Sequence, residues 1–197
     1  LQAAKTYHHA KHGSIFGVEA GSLSFDFGKA HAHKNSVMDR MRDGIAGLMK
    51  KHKVEVIEGE AKLIKGGFSV NGETYEAENI LLCTGSSPSI PPIPGIEAEH
   101  IVDSTGILNN ETLPENLVIV GGGVIGCEFA CVYASVGVPV TVLEAMPEIC
   151  PNLDSEISAI LRKELEKKGV TFVLGAKVES FEGKSVRYNL EGESKDM

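Results

Sequence analysis

Three glycines and one carboxylate define the chemistry open to this chain. Gly121, Gly123 and Gly126 form a GxGxxG pattern directly after the apolar run Leu117–Val120, and Glu144 follows 18 residues after Gly126. Alone the pattern is weak. Between an apolar strand and a helix it is a dinucleotide-binding fingerprint. Gly121 permits the tight turn, Gly123 lets a pyrophosphate approach the backbone, and Gly126 lets the helix pack closely on the strand. The helix N-terminus that follows offers free N–H groups and partial positive charge to phosphates. An acid at the end of the next strand can accept bonds from the adenosine ribose hydroxyls and repels a 2′-phosphate. No arginine stands between Glu144 and Arg162. The pattern therefore favours NAD over NADP. The competing reading is a Rossmann unit that binds no dinucleotide.

The other reactive side chains form no comparable pattern. Four cysteines stand at positions 83, 127, 131 and 150, with no CxxC pair. That is too sparse for a secreted disulfide scaffold and points to a reducing, cytoplasmic setting. Cys127 and Cys131 lie one helical turn apart, in reach of each other but with no reason to bond. Small buried apolar residues are the ordinary reading. Cys83 and Cys150 have no partner in sequence. His8 and His12 share a helix face, with His9, His31 and His33 nearby. No cysteine or clustered acid completes a tetrahedral zinc site, so no metal is expected. No histidine pairs with a nucleophile, which leaves a hydrolase triad unsupported.

The elements that would hold the glycine turn are legible on either side of it. Leu117–Val120 predicts a buried strand, Val124–Ser135 a helix and Val140–Leu143 a second strand. Asp154 predicts the cap of a helix running to Lys168, with Ile157, Ile160, Leu161 and Leu165 facing inward and Gly169 beyond its end. Thr171–Leu174 predicts a third strand. This alternation means a parallel α/β unit. Short antiparallel strands follow over 177–190, and residues 191–197 read as a frayed polar tail. Upstream, residues 1–12 read as a helix, 14–34 as loop or extended chain, and Ser36–His52 as an amphipathic helix. That helix carries Val37, Met38, Met41, Ile45, Leu48 and Met49 on one face. Its Gly44 and Gly47 would admit a close neighbour. Val54–Ile57, Ala61–Ile64, Phe68–Val70, Thr74–Tyr75 and Ile80–Cys83 read as strands, with Gly66-Gly67 and Asn71-Gly72 as hairpin turns. The proline-rich segment 86–114 reads as a crossing between two domains, 1–112 and 113–197.

Composition narrows the function classes. The 197 residues include 19 Lys+Arg and 27 Asp+Glu, a formal net charge of −8. That argues against a nucleic-acid binder and against attraction to anionic membranes. Apolar runs fall far short of the ~18 residues of a membrane span. At 42% hydrophobic and 23% charged, the chain reads as ordinary globular protein.

Val118–Ala130, reading VIVGGGVIGCEFA, resembles the NAD segment of the flavin-dependent pyridine nucleotide–disulfide oxidoreductases, and within them is most similar to the dihydrolipoyl dehydrogenases. Leu81–Pro88 resembles the place where that family's FAD domain closes over its flavin. Glu58–Lys62 resembles the segment whose backbone meets the adenine, and Leu1–Lys5 the helix after the family's redox cysteines. The resemblance implies a Rossmann-type NAD-binding domain, a parallel sheet plus an antiparallel β-meander, joined to a partial FAD-binding domain. It places Gly121, Gly122, Gly123, Val124, Ile125, Gly126, Cys127 and Glu128 along the NAD pyrophosphate, Glu144 on the ribose and Val178 near the adenine. Ala61, Thr84, Gly85 and Ser86 fall on the FAD side. For Glu128 two readings stand: a residue near the meeting of nicotinamide and flavin, or an exposed residue in the first turns of a helix.

The resemblance further implies oxidation of dihydrolipoamide, carried by a lipoyl protein of a 2-oxoacid dehydrogenase or glycine cleavage complex. Electrons pass through a disulfide and FAD to NAD⁺, in a homodimer. The family's CxxxxC pair, N-terminal GxGxxG and His–Glu pair do not occur in these residues. The chain opens at Leu1 and reads as an internal piece, with no catalytic residue of its own and no expected activity alone. The alternatives are another reductase of the family, acting on mercuric ion, glutathione or coenzyme A disulfide, and a non-catalytic NAD-binding redox-sensing module.

Overall fold

The computed structural model describes every residue from Leu1 to Met197. The chain forms two compact units, one of residues 1–31 and 88–197 and one of residues 32–87.

The larger unit is built on a parallel sheet of β4 (Leu117–Val120), β5 (Val140–Glu144) and β6 (Val170–Leu174), ordered β4-β5-β6. Connections run through α4 (Val124–Ser135) and α5 (Ser155–Lys167). Parallel neighbours need such crossovers, because a tight hairpin can only reverse the chain. In β5, Val140, Val142 and Leu143 are buried, and Val140 and Val142 join Cys127, Ala130, Tyr133, Ile149, Leu165 and Val170 in one core. The predicted strand–helix alternation is the observed one, but β4 is not the buried strand expected: Val118 and Val120 are exposed on one face of the sheet. The N-terminal α1 (Gln2–Lys11) buries Ala4, and Phe27 meets Tyr133 with ring centroids 6.0 Å apart.

An antiparallel sheet follows: β7 (Lys177–Glu182), β8 (Ser185–Leu190) and β9 (Glu193–Asp196). The expectation of a frayed tail at 191–197 is corrected by β9. Glu191 and Gly192 both adopt positive φ, at 55° and 88°. Paired positive φ matches the right-handed strand twist and returns the chain antiparallel. Arg187 then bonds Asp196 across the strands at 2.9 Å. Polar composition concealed a strand that the turn imposes.

Helix α5 also departs from its predicted face. Asp154 caps it as expected, accepting from the Glu156 N–H at 2.9 Å. The inward stripe is Ser158, Leu161 and Leu165, while Ile157 and Ile160 remain exposed. Ser158 donates its hydroxyl to the Cys150 carbonyl at 3.3 Å, so a polar residue anchors the face that apolar counting assigned to isoleucine. Within 86–114 the structure adds the short α3 (Ser104–Asn109), capped by Asp103 through the Gly106 N–H.

In the smaller unit, β1 (Ala61–Ile64), β2 (Gly67–Val70) and β3 (Glu73–Glu76) form the predicted antiparallel meander. Asn71 and Gly72, both at positive φ, make one of its turns. Val54–Ile57 and Ile80–Cys83 form no strand, contrary to expectation. Leu81 is 87% exposed. Strand propensity without a pairing partner leaves backbone groups to water, and the segment stays irregular. The amphipathic helix begins earlier than predicted, as α2 (Phe27–Lys51). Asp26 accepts from the Lys29 N–H at 2.9 Å, a start signal ahead of Ser36. Its apolar positions Met38, Met41, Ile45 and Leu48 are exposed, and nothing lies near Gly44 or Gly47.

Candidate dinucleotide-binding site

The glycine turn joins β4 to α4, and each glycine has its own physical reason. Gly121 sits at φ 104°, a conformation that L side chains rarely adopt. Its N–H bonds the Leu143 carbonyl at 2.8 Å, tying the turn to the sheet. A Cβ on Gly126 would run into the Gly121 carbonyl oxygen and press on Ile119. Gly126 therefore sets how closely the helix approaches the strand. Gly123 is different. It caps α4 with extended backbone, φ −70° and ψ 178°, and a Cβ there would meet open space. Nothing in the fold requires glycine at 123.

The helix start presents unsatisfied donors. Cys127 N–H makes the first intrahelical bond, to the Gly123 carbonyl at 2.9 Å. The N–H groups of Val124, Ile125 and Gly126 precede that ladder and have no helical partner. Gly123 brings no side chain to cap them. The side chains of Val124, Ile125 and Glu128 are exposed around them. Open space at Gly123, three free donors and the helix dipole together fit a phosphate diester.

Gly122 is the buried residue of the turn, and a polar cage holds it. Its N–H donates to Glu144 Oε2 at 2.6 Å, and its carbonyl accepts the Cys150 N–H at 2.9 Å. Glu144 Oε1 accepts the Met146 N–H at 2.7 Å. The Glu144 carboxylate, placed on the ribose by sequence reasoning, is 8% exposed and braces the turn from below. The sequence carried the residue but gave no sign of this bracing. Cys127, expected along the pyrophosphate, points its thiol inward to the Gly122 carbonyl at 3.3 Å. Cys150 comes to 3.6 Å of the same oxygen and 3.9 Å of the Cys127 sulfur. Burial, with Cys150 alongside, pushes the Cys127 thiol up to about 12. Residues 127 and 150 are 23 apart in sequence, and no local pattern could have joined them.

Val178 is half-buried in β7 and lines a groove with Pro92, Ile93, Pro94 and Asn189. The chain just before it is bound to the end of β5, through Ala176 N–H to the Glu144 carbonyl at 2.8 Å. On the flavin side, Ala61 lies on β1, while Thr84, Gly85 and Ser86 lie on irregular chain. All four are exposed, and they do not form an enclosed cradle.

Arg162 is committed elsewhere. Its guanidinium bonds both oxygens of Glu148, the shortest contact at 2.9 Å, and reaches Glu166 at 2.9 Å. The Arg162 bonds hold the Glu148 carboxyl below its usual value of 4.5. A depressed carboxyl pKa adds stability that is fully present above the unfolded pKa and lost as pH falls through the folded one. Arg162→Met should therefore cost about 1 kcal/mol at neutral pH. The gap between variant and parent should close in urea melts taken progressively below pH 4.5. A gap that persists at low pH would show packing, not charge, at work.

Residues 2–197 match the family described as pyridine nucleotide-disulphide oxidoreductase. The chain is 36% identical to the dihydrolipoyl dehydrogenase of Acholeplasma laidlawii, over 98% of this chain and 59% of that protein. It is 37% identical to the dihydrolipoyl dehydrogenase of Geobacillus stearothermophilus, over 100% of this chain and 44% of the relative. A solved structure of an HOCl-induced flavoprotein disulfide reductase from Escherichia coli superposes with a TM-score of 0.75 at 32% identity, covering 98% of this chain and 44% of that one. The chain thus spans 59% and 44% of the lengths of the two named relatives. Members of the family use FAD and NAD(H). A glycine turn between a parallel strand and a helix, within a family match over residues 2–197, places this chain in the pyridine nucleotide-disulphide oxidoreductase family.

Proposed function

We propose that residues 113–197 are the NAD-binding portion, and residues 1–112 part of the FAD-binding portion, of a dihydrolipoyl dehydrogenase. The observation that carries the NAD reading is Gly123, a glycine facing open space at a helix start with no conformational need to be glycine. The pyrophosphate sits there on the N–H groups of Val124, Ile125 and Gly126. Glu144 meets the ribose with the lone pairs that its two backbone bonds leave, and Val178 borders the adenine. NADP is disfavoured because Glu144 repels a 2′-phosphate and Arg162 is already held by Glu148 and Glu166. Glu128, exposed on α4, lies toward the nicotinamide end. Ala61, Thr84, Gly85 and Ser86 meet FAD.

The flavin and the nicotinamide supply the hydride chemistry, and the protein orients them. The names of the relatives support dihydrolipoamide on a lipoyl protein of a 2-oxoacid dehydrogenase or glycine cleavage complex as the electron donor. A homodimer in the cytoplasm completes the proposal. No helix is long and apolar enough to cross a membrane.

Calorimetric titration tests the reading. NAD⁺ should bind at one site, with NADP⁺ at least about tenfold weaker, a difference of ~1.4 kcal/mol. Gly123→Ala should weaken NAD⁺ by a similar factor while changing stability by no more than about 1 kcal/mol, the scale of an N-cap change. Full NAD⁺ affinity in Gly123→Ala would remove the pyrophosphate from this turn.

A further inference from the structure

Beneath the glycine turn lie two thiols that the proposed function does not use. Cys127 comes from the first turns of α4 and Cys150 from the loop after β5. Each is 4% exposed, and their sulfurs stand 3.9 Å apart. Both point at one atom, the Gly122 carbonyl oxygen, at 3.3 and 3.6 Å. Cys150 is held at φ 47°, a conformation uncommon for a non-glycine residue. Its N–H to Gly122 and its carbonyl to Ser158 keep it there. Two thiols brought together from separate elements, against the central peptide of the phosphate turn, are a dithiol coupled to that turn.

We propose that Cys127 and Cys150 are an oxidative modification site: a peroxide-class oxidant joins them in a disulfide that reshapes the glycine turn and weakens dinucleotide binding. The affinity part rests on the dinucleotide reading above, and the covalent part does not. Burial keeps the Cys127 thiol protonated, so Cys150 gives up its proton, opens the peroxide O–O bond and becomes a sulfenic acid. The second thiol displaces its hydroxyl as water. Two S–H bonds and one O–O bond break, one S–S bond forms, and two waters leave with the two electrons and two protons. The sulfurs must close from 3.9 Å to about 2 Å. That movement pulls the α4 start and the 145–153 loop together and removes both S–H donors from the Gly122 carbonyl. Gly122 is flanked by Gly121 and Gly123, so the strain passes directly into the phosphate cradle.

The test uses the 197-residue chain with Cys83→Ser and Cys131→Ser, which leaves only the two thiols. After hydrogen peroxide and denaturation, the mass should fall by two hydrogens. Both thiols should resist iodoacetamide, and dithiothreitol should restore them. Amide exchange at Gly122–Gly126 should change on oxidation, and the NAD⁺ dissociation constant should rise about tenfold. Adding Cys150→Ser keeps a hydroxyl donor near Gly122 but allows no cross-link. That chain should show no mass loss, and its exchange and affinity should be the same with and without peroxide.

Thiols that still alkylate after peroxide would overturn the proposal, as would cross-links between chains. An intramolecular disulfide with unchanged exchange at the turn would also overturn it, as would an equal response in the Cys150→Ser chain. Should the reduced chain bind no NAD⁺, the dinucleotide reading fails, while the cross-link and the exchange still decide this one.

Discussion

Gly126→Ala will loosen the parallel sheet and abolish most NAD⁺ binding together. The added Cβ would run into the Gly121 carbonyl oxygen and come within 3.3 Å of the Ile119 side chain. Neither neighbour can retreat cheaply. Gly121 is held at φ 104° by its bond to Leu143, and Ile119 is paired in register with Val142. Alanine gains about 1 kcal/mol of helix propensity over glycine. Overpacking against backbone costs up to about 3 kcal/mol. The expected net loss is about 2 kcal/mol, read as faster amide exchange across Val140–Leu143. NAD⁺ affinity should fall by more than about tenfold, because the helix start moves off the phosphate position. Gly123→Ala is the control, since it should lose affinity with the sheet intact. Normal exchange in Gly126→Ala would mean that α4 slides without the strand.

Glu144→Ala should cost as much or more, for a reason the ribose role does not contain. Its two oxygens hold the N–H groups of Gly122 and Met146 at 2.6 and 2.7 Å. Bonds to a charged acceptor contribute about 1.5–3 kcal/mol each, and truncation strands the donors. A loss of about 3 kcal/mol is expected on that scale. Glu144→Gln keeps one acceptor but turns an amide NH₂ toward the other donor, so about half the loss should remain. Calorimetry of either variant then needs a parallel stability measurement, because weakened NAD⁺ binding reports the turn as well as the ribose. Unchanged exchange at Gly121–Gly123, with affinity alone reduced, would return Glu144 to ligand contact only.

Much of the larger unit was legible in the sequence because its signals are local. The run Leu117–Val120, the three spaced glycines, the Asp154 cap and the alternation of strand and helix each depend on residues close together. Elements that failed did so where a partner or a turn outweighed composition. Ile80–Cys83 has strand propensity but no strand to pair with, and stays irregular. Glu193–Asp196 has little propensity, yet the Glu191-Gly192 turn folds it onto β8. On α5, the apolar pattern chose Ile157 and Ile160, whereas the structure buries Ser158 through its bond to Cys150.

The GxGxxG spacing after an apolar strand, and the acid 18 residues beyond it, are legible in the residues alone, because backbone freedom and spacing are properties of the chain. What surrounds the glycine turn depends on contacts between residues far apart in the chain. The fold divided the glycines into one that packs, Gly126, and one that faces open space, Gly123. It turned the Glu144 carboxylate under Gly122 and brought Cys150 against Cys127 across 23 residues. Parallel strands must cross over through helices, and that crossing sets the end of β5 and the loop after it beneath the start of α4.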